Sequence, residues 1–451
     1  MKKNKYEIDM CNGSIMDKLI SFALPLLLSG ILQLMFNAVD LVVVGHFSGQ
    51  EALAAVGSTT ALIAVFTNLF IGISLGANVL AARFYAAGRE KEMSETVHTS
   101  IMLALISGAA MAIVGVIFAK GALQLMDTPD NVIDLSTLYM RIYFMGMPFF
   151  MLYNYGAAIL RAVGDTKRPL LFLIVSGVSN AILNMILVIV FNLGVAGVAI
   201  GTVMSQLMSC VLVLRCLCKT QSSYQLHLDR LAIKGDYVKL IFQVGIPAGI
   251  QSTVINFSNV LLQSSVNSFG ATAMAGYTAA NNLLGFLYVS VNAVTQACMS
   301  FTSQNYGVGK YKRMDRVLLD CLGLTVVVAG VLGGGVYLFG PQILRIYTSE
   351  ADVISCGMEI LSITTIPYFL CGIMDLFPGS LRGMGYSAVP MVLSVIGTVG
   401  TRILWIYGFF PYNRTLFFLF ISYPGSWLIT IVMQVICYLY VRKRCVGVQK
   451  V

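Results

Sequence analysis

Apolar stretches long enough to cross a lipid bilayer recur along the whole chain, and no other feature restricts its fold so strongly. A helix rising about 1.5 Å per residue needs roughly 20 apolar residues to span the hydrocarbon core. Such stretches cover residues 17–45, 52–80, 96–120, 136–161, 169–192 and 194–217, then 238–268, 273–300, 317–340, 356–381, 388–411 and 415–441. With 57% hydrophobic and 11% charged residues in 451, the remainder is too short for a soluble domain. The expectation is an all-α polytopic membrane protein with twelve transmembrane helices.

The second half repeats the first. Shifted by 221 residues, LRAVGDTKRP (Leu160 to Pro169) falls on LRGMGYSAVP (Leu381 to Pro390), sharing Leu, Arg, Gly and Pro. The same shift carries Tyr85, Gly88 and Met93 onto Tyr306, Gly309 and Met314, and a shift of 222 carries Pro25 onto Pro247. Repeats of six spans each must share one orientation, which predicts two six-helix bundles related by a pseudo-two-fold axis along the membrane normal. The expected organisation is a tail (1–16), the first bundle (17–218), a charged and flexible linker (219–237), the second bundle (238–441) and a second tail (442–451).

Charge sets the expected orientation. With both termini in the cytoplasm, all but five of the 29 Lys and Arg lie on the inner side, the exceptions being Lys120, Arg141, Arg345, Arg402 and Arg414. This follows the positive-inside rule and predicts a multi-pass protein of the cell membrane. The net charge of +9 is therefore topological, and nucleic acid is not an expected partner. The basic N-terminus leads into a long span without a small-residue cleavage site, so the first helix is expected to stay.

Several chemistries fall away on spacing. The ten cysteines form no CxxC pair and no Cys/His set suited to zinc, so no metal centre or cofactor is expected. No GxxxxGK[ST] loop is present, which leaves no nucleotide cradle and points to a gradient as the energy source. Gly72-Ile-Ser-Leu-Gly76 matches the GxSxG of serine hydrolases but lies inside an apolar helix. The three histidines, His46, His98 and His227, lie near span ends or in loops, so Ser74 has no base and the glycines read as helix packing.

Asp40 is the sharpest chemical feature, since a carboxylate inside a span costs roughly 2.5–3.5 kcal/mol on insertion scales. Gln33, Asn37 and Asp40 fall at i, i+4 and i+7, one helical face directed at a polar interior. Ser176, Asn180 and Asn184 form a stripe in the fifth span, and Thr202, Gln206 and Ser209 in the sixth. In the second half, Leu261 or Leu262 stands opposite Asp40, while Ser252, Asn256, Asn259, Gln263 and Asn267 line one face of the seventh span. Asn37, Asn256, Asn259 and Gln263 are thus candidate cavity residues. Asp375, seven residues before Arg382, is a secondary candidate with a structural reading beside it. Pro25 and Pro247 each remove a backbone hydrogen bond near the start of a half and are candidate bend points.

With these residues in hand, the chain resembles the multidrug and toxic compound extrusion (MATE) family from about Asp17 to Val441. The resemblance rests on the Pro25 to Asp40 stretch, the paired LR-x-x-G turns, and Asn180-x-x-x-Asn184 followed by GVAGVAIGT. It implies two six-helix bundles forming a V and a coupling-cation site in the first, carried here by Asp40, Asn180, Asn184 and Thr202, with Gln33 and Asn154 as cavity residues. Many relatives have an aspartate at the place of Asn184, so this chain offers one carboxylate fewer to sodium. The implied function is secondary efflux of amphipathic, mostly cationic drugs in antiport with H+, or with Na+ at Asp40, by alternating access and as a monomer in the bilayer. Flippases of lipid-linked or polysaccharide precursors in the same superfamily are the alternative.

Overall fold

The computed structural model describes residues 6–126 and 128–447, and among these the regular structure is helical, with no strand. The expected inner-side cations Lys2, Lys3, Lys5 and Lys450 lie outside the described residues. In chain order the helices are α1 (Met16–Phe47), α2 (Gln50–Ala86), α3 (Glu90–Leu125), α4 (Asp130–Met145), α5 (Met147–Ala162), α6 (Lys167–Met185) and α7 (Gly194–Lys219). They continue as α8 (Gly235–Asn267), α9 (Ala271–Gly307), α10 (Tyr311–Leu338), the short α11 (Gly340–Leu344), α12 (Ala351–Thr365), α13 (Tyr368–Gly383) and α14 (Ala388–Ser394). The last three are α15 (Thr401–Leu404), α16 (Leu416–Phe420) and α17 (Ser422–Gly447).

Among the described residues, ten helical stretches are long and apolar enough to cross a membrane, and the α12/α13 pair, bent by 47°, makes an eleventh. The fourth stretch expected from the sequence, 136–161, is also broken: α4 ends at Met145 and α5 starts at Met147, with Pro148 in its first turn. Pro367 ends α12 in the corresponding way, because a proline has no N–H to give to the preceding turn. Outward-facing Ile113, Ile117, Phe118, Val327 and Val331 are more than half exposed, as suits helices whose solvent is lipid.

The repeat seen in the sequence is written into the backbone. Helices α2 and α9 each have 37 residues, and α5 and α13 each have 16. Gly49, Gly88 and Gly164 adopt φ of 88°, 67° and 95°, and Gly270, Gly309 and Gly385, 221 residues on, adopt 92°, 70° and 92°. These are the turns where a side chain is strained, so the repeat preserves the connections as well as the spans.

The chain divides into two compact units: Met1–Asp9 with Leu28–Gly249, and Met10–Leu27 with Ile250–Val451. Each changeover inside a helix falls two residues after a proline, Pro25 in α1 and Pro247 in α8, and both helices run unbroken through it. The core of the first unit is built around Phe144, Met147 and Tyr155, and that of the second around Tyr277, Tyr368, Phe420 and Trp427.

Within the first unit, α2 and α8 cross backbone to backbone. A Cβ on Gly72 would strike the backbone of Gly249, and one on Gly76 the carbonyl of Ile241, while Gly245 meets Ile73 and Gly249 meets Leu69. Gly72-x-x-x-Gly76 therefore packs as a small-residue motif against a second one, Gly245-x-x-x-Gly249. Ser74, fully buried, donates to the Ile71 carbonyl of its own helix at 2.7 Å.

The segment expected to be a flexible linker is strapped to the first unit. Tyr224 is fully buried, and its hydroxyl donates to Glu7 at 2.7 Å. The Leu226 N–H donates to the Leu217 carbonyl at 3.1 Å, and the His227 N–H to His98 Nε2 at 3.1 Å. Nearby, Arg168 pairs with Asp165 and reaches Tyr224 at 3.4 Å. Burial pushes the Asp165 carboxyl above the usual carboxylate range, and the Arg168 guanidinium pulls it back.

Candidate functional site

The site predicted in the first half assembles inside the first unit from α1, α6 and α7. Asp40 stands seven residues before the end of α1 and is half-buried. Asn184 Nδ2 donates to its Oδ1 at 2.5 Å and also reaches Asn180 Oδ1 at 3.4 Å. Asn180 Nδ2 in turn reaches Thr202 Oγ1 at 3.4 Å, while the Thr202 hydroxyl donates to Val198 one turn back at 2.9 Å. Asn180 and Asn184 are buried. Four residues from three helices are therefore joined in one polar chain, with an amide donor held against the carboxylate.

Local sequence explains how the chain closes. A Cβ at Gly201 would collide with Asn184 Oδ1, so the glycine before Thr202 leaves the room in which the amide lies. Immediately after Asn184 the helix loosens into a π-helical turn, Ile186–Val190, of a kind that often marks functional positions. Asn184 Oδ1 is buried and has no hydrogen-bond partner. The Asn184 amide nitrogen lies between the Asp40 carboxylate and Asn180 Oδ1, and the oxygen of the same amide faces Gly201 on the other side. Among the described residues no group of three His, Cys, Asp or Glu side chains is gathered as for a tightly held metal.

Other predicted residues stand apart from this chain. Gln33 and Asn37 are exposed on the same α1 face, and neither bonds to Asp40. Asn154 donates to its own helix at Phe150 (2.8 Å) and is not joined to the four. In the second unit Asn256 is exposed, Gln263 donates to Asn267 at 3.0 Å, and Asn259 accepts from Arg402 at 2.9 Å. Asp375 is half-buried on α13, with Tyr288 and Arg382 within electrostatic reach. Arg382 donates instead to Gln251 at 2.6 Å.

Two aromatic residues near the carboxylate escaped the sequence reading. Tyr139 and Tyr143 on α4, stacked with centroids 6.1 Å apart, both lie within reach of the Asp40 charge. Their i, i+4 spacing in an interior span was the available signal. Hydropathy alone gave no reason to turn that face toward α1.

A two-unit helical fold with an acid held among amides inside a span defines a polytopic membrane transporter. The MatE family model matches residues 25–186 and 247–407, one match in each half of the repeat, and the chain belongs to this family of multidrug and toxic compound extrusion transporters. It is 29% identical to "Probable multidrug resistance protein YoeA" of Bacillus subtilis (strain 168), over 94% of this chain and 93% of that one. It is 25% identical to "Probable multidrug resistance protein NorM" of Thermotoga maritima, over 86% and 84% of the two chains. A solved structure described as the outward-facing conformation of a multidrug resistance MATE family transporter matches all of both chains with a TM-score of 0.89 at 20% identity, a likeness of fold. Membership in a transporter family removes the serine-hydrolase reading of Ser74 and agrees with its buried, self-satisfied hydroxyl.

Proposed function

We propose that this protein is a secondary active multidrug exporter that moves amphipathic, mostly cationic organic compounds out of the cell in antiport with H+, with Na+ as the second candidate ion. One observation carries the reading: among the described residues, no Lys, Arg or His pairs with the intramembrane carboxylate of Asp40, whose hydrogen-bond partner is the neutral amide of Asn184. A carboxylate at that depth is costly without a counter-charge, so its partner is a mobile one. A proton and an organic cation then compete for one charge. Proton uptake from outside favours release of the cargo there, and proton loss to the cytoplasm restores the binding form. The names of the relatives support drugs as cargo. The amide beside Asp40, where a second carboxylate would strengthen sodium binding, favours the proton.

Under this reading the protein is a monomer in the cell membrane with both termini in the cytoplasm, and alternating access uses Pro25 and Pro247 as bend points. The test is ethidium efflux from cells lacking their own pumps, under imposed proton and sodium gradients, for wild type and Asp40→Asn at matched membrane levels. Wild-type efflux driven by protons and lost in the variant is expected. Equal efflux by the variant would make Asp40 structural and overturn the coupling mechanism.

A further inference from the structure

The second unit holds the electrical inverse of the Asp40 site on the same pair of helices. In each half the first and fifth spans meet through polar side chains: Asp40 with Asn184 in the first, Asn259 with Arg402 in the second. The repeat carries Asn37 onto Asn259 at the 222 shift and Ala181, between Asn180 and Asn184, onto Arg402 at the 221 shift. Where the first half places an acid, the second places a guanidinium.

Arg402 is 3% exposed. Its Nη1 donates to Asn259 at 2.9 Å, its guanidinium carbon lies 4.1 Å from the centre of the Tyr423 ring, and its Nε is buried without a hydrogen-bond partner. Among the described residues no carboxylate oxygen comes within the 4.0 Å of an ion pair. Asp375 stands on α13 one turn from Cys371, which feels the Arg402 charge, but does not pair with it. A guanidinium so placed leaves a strong donor unsatisfied in a low-dielectric interior, an arrangement that persists where an anion completes it. Π-helical turns, Val395–Gly400 and Trp405–Phe409, flank the arginine on both sides. Asn259 is partly exposed, and Asn256 one turn earlier is exposed.

We propose that Arg402 and Asn259 form an anion site that takes the carboxylate of an organic substrate, so that cargo includes zwitterionic and acidic amphiphiles as well as cations. The assignment to cargo rests on the exporter reading, whereas the anion site stands on the side chains alone. A carboxylate accepts from Nε and the guanidinium edge, while the Tyr423 ring covers the face.

The chain's two tryptophans report on this place. Trp405 is three residues from Arg402, and the Trp427 ring lies 5.7 Å from that of Tyr423. Tryptophan fluorescence of the full chain in phosphatidylcholine nanodiscs, titrated with benzoate and with its neutral amide benzamide, tests the proposal without transport or a gradient. Benzoate is expected to saturate with at least tenfold higher affinity than benzamide in wild type, and Arg402→Gln is expected to erase that preference. Equal affinities in wild type, which needs no variant to fold, overturn the site, as does a preference that survives in Arg402→Gln. In discs containing phosphatidylglycerol, at an ionic strength high enough to screen the anionic surface, the benzoate affinity is expected to stay unchanged. Its loss there would assign the guanidinium to a lipid phosphate and overturn the cargo carboxylate. Failure of the efflux assay alone would leave these outcomes untouched.

Discussion

Asn184 Nδ2 donates to Asp40 Oδ1 at 2.5 Å, tying the fifth span of the first half to the polar face of the first. The amide can donate to a carboxylate and accept from a protonated one only by turning, so it marks the two charge states of Asp40 differently. Its Oδ1 is already buried without a partner, so replacing the side chain by an apolar one removes the donor and leaves the carboxylate unsupported. Asn184→Leu is expected to reduce proton-driven ethidium efflux at least tenfold at matched membrane levels. Unchanged efflux would remove Asn184 from the coupling site.

The same position supplies a gain-of-function prediction. Asn184→Asp adds a second carboxylate beside Asp40, next to Asn180 and Thr202. Two acids sharing a site strengthen the binding of a hard monovalent cation and resist joint ionisation in its absence. The variant is expected to unfold at a higher temperature in sodium chloride than in choline chloride at equal ionic strength, whereas the wild type shows no such difference. Identical melting in both salts would argue that the oxygens do not converge on one ion.

The α2/α8 crossing has no room for a side chain. Any Cβ at Gly72 or Gly249 meets backbone of the other helix, which cannot turn away as a flexible side chain can. Gly249→Val is expected to destabilise the protein by about 1–3 kcal/mol through overpacking, read by thermal unfolding in detergent. Ser74→Ala is the matched control, because that hydroxyl satisfies only its own helix, and it is expected to leave stability and efflux within error. A large effect of Ser74→Ala with none from Gly249→Val would reverse the packing argument.

How much of this was legible depended on whether one chain segment sufficed to show it. Spans, the repeat and the polar stripe ending in Asp40 are periodic properties of single helices and could be counted. The breaks at Gly146 and Pro367 fall inside stretches apolar enough to be drawn as one span, because hydropathy registers side chains and is blind to a missing N–H. Gly245-x-x-x-Gly249 carries no signal in the sequence by itself, since a small-residue motif has meaning only with the partner it packs against, here Gly72 and Gly76. Arg402 stands in the sequence only as one of five cations off the inner side, since charge alone says nothing of its depth. Its burial against Tyr423 is a tertiary fact. The linker looked free because its charges are polar in composition, yet the buried Tyr224 and the Glu7 carboxylate hold it down.

The prolines of α1 and α8 give the last prediction. Each helix continues unbroken through its proline, and in each the membership of the compact units changes two residues later. A proline within a helix forfeits one hydrogen bond and weakens that turn, at a cost of about 3 kcal/mol against alanine in an ordinary helix. A turn weakened in this way is where a helix changes angle most easily. Pro247→Ala restores a donor toward the Gln243 carbonyl and stiffens that turn. If bending there is part of the transport cycle, the variant is expected to melt at the same or a higher temperature while its efflux falls severalfold. A proline kept only for packing predicts the opposite pairing, lower stability with efflux per folded molecule unchanged. Measuring both quantities on the same preparation separates the two, since neither stability nor activity alone distinguishes a hinge from a structural kink.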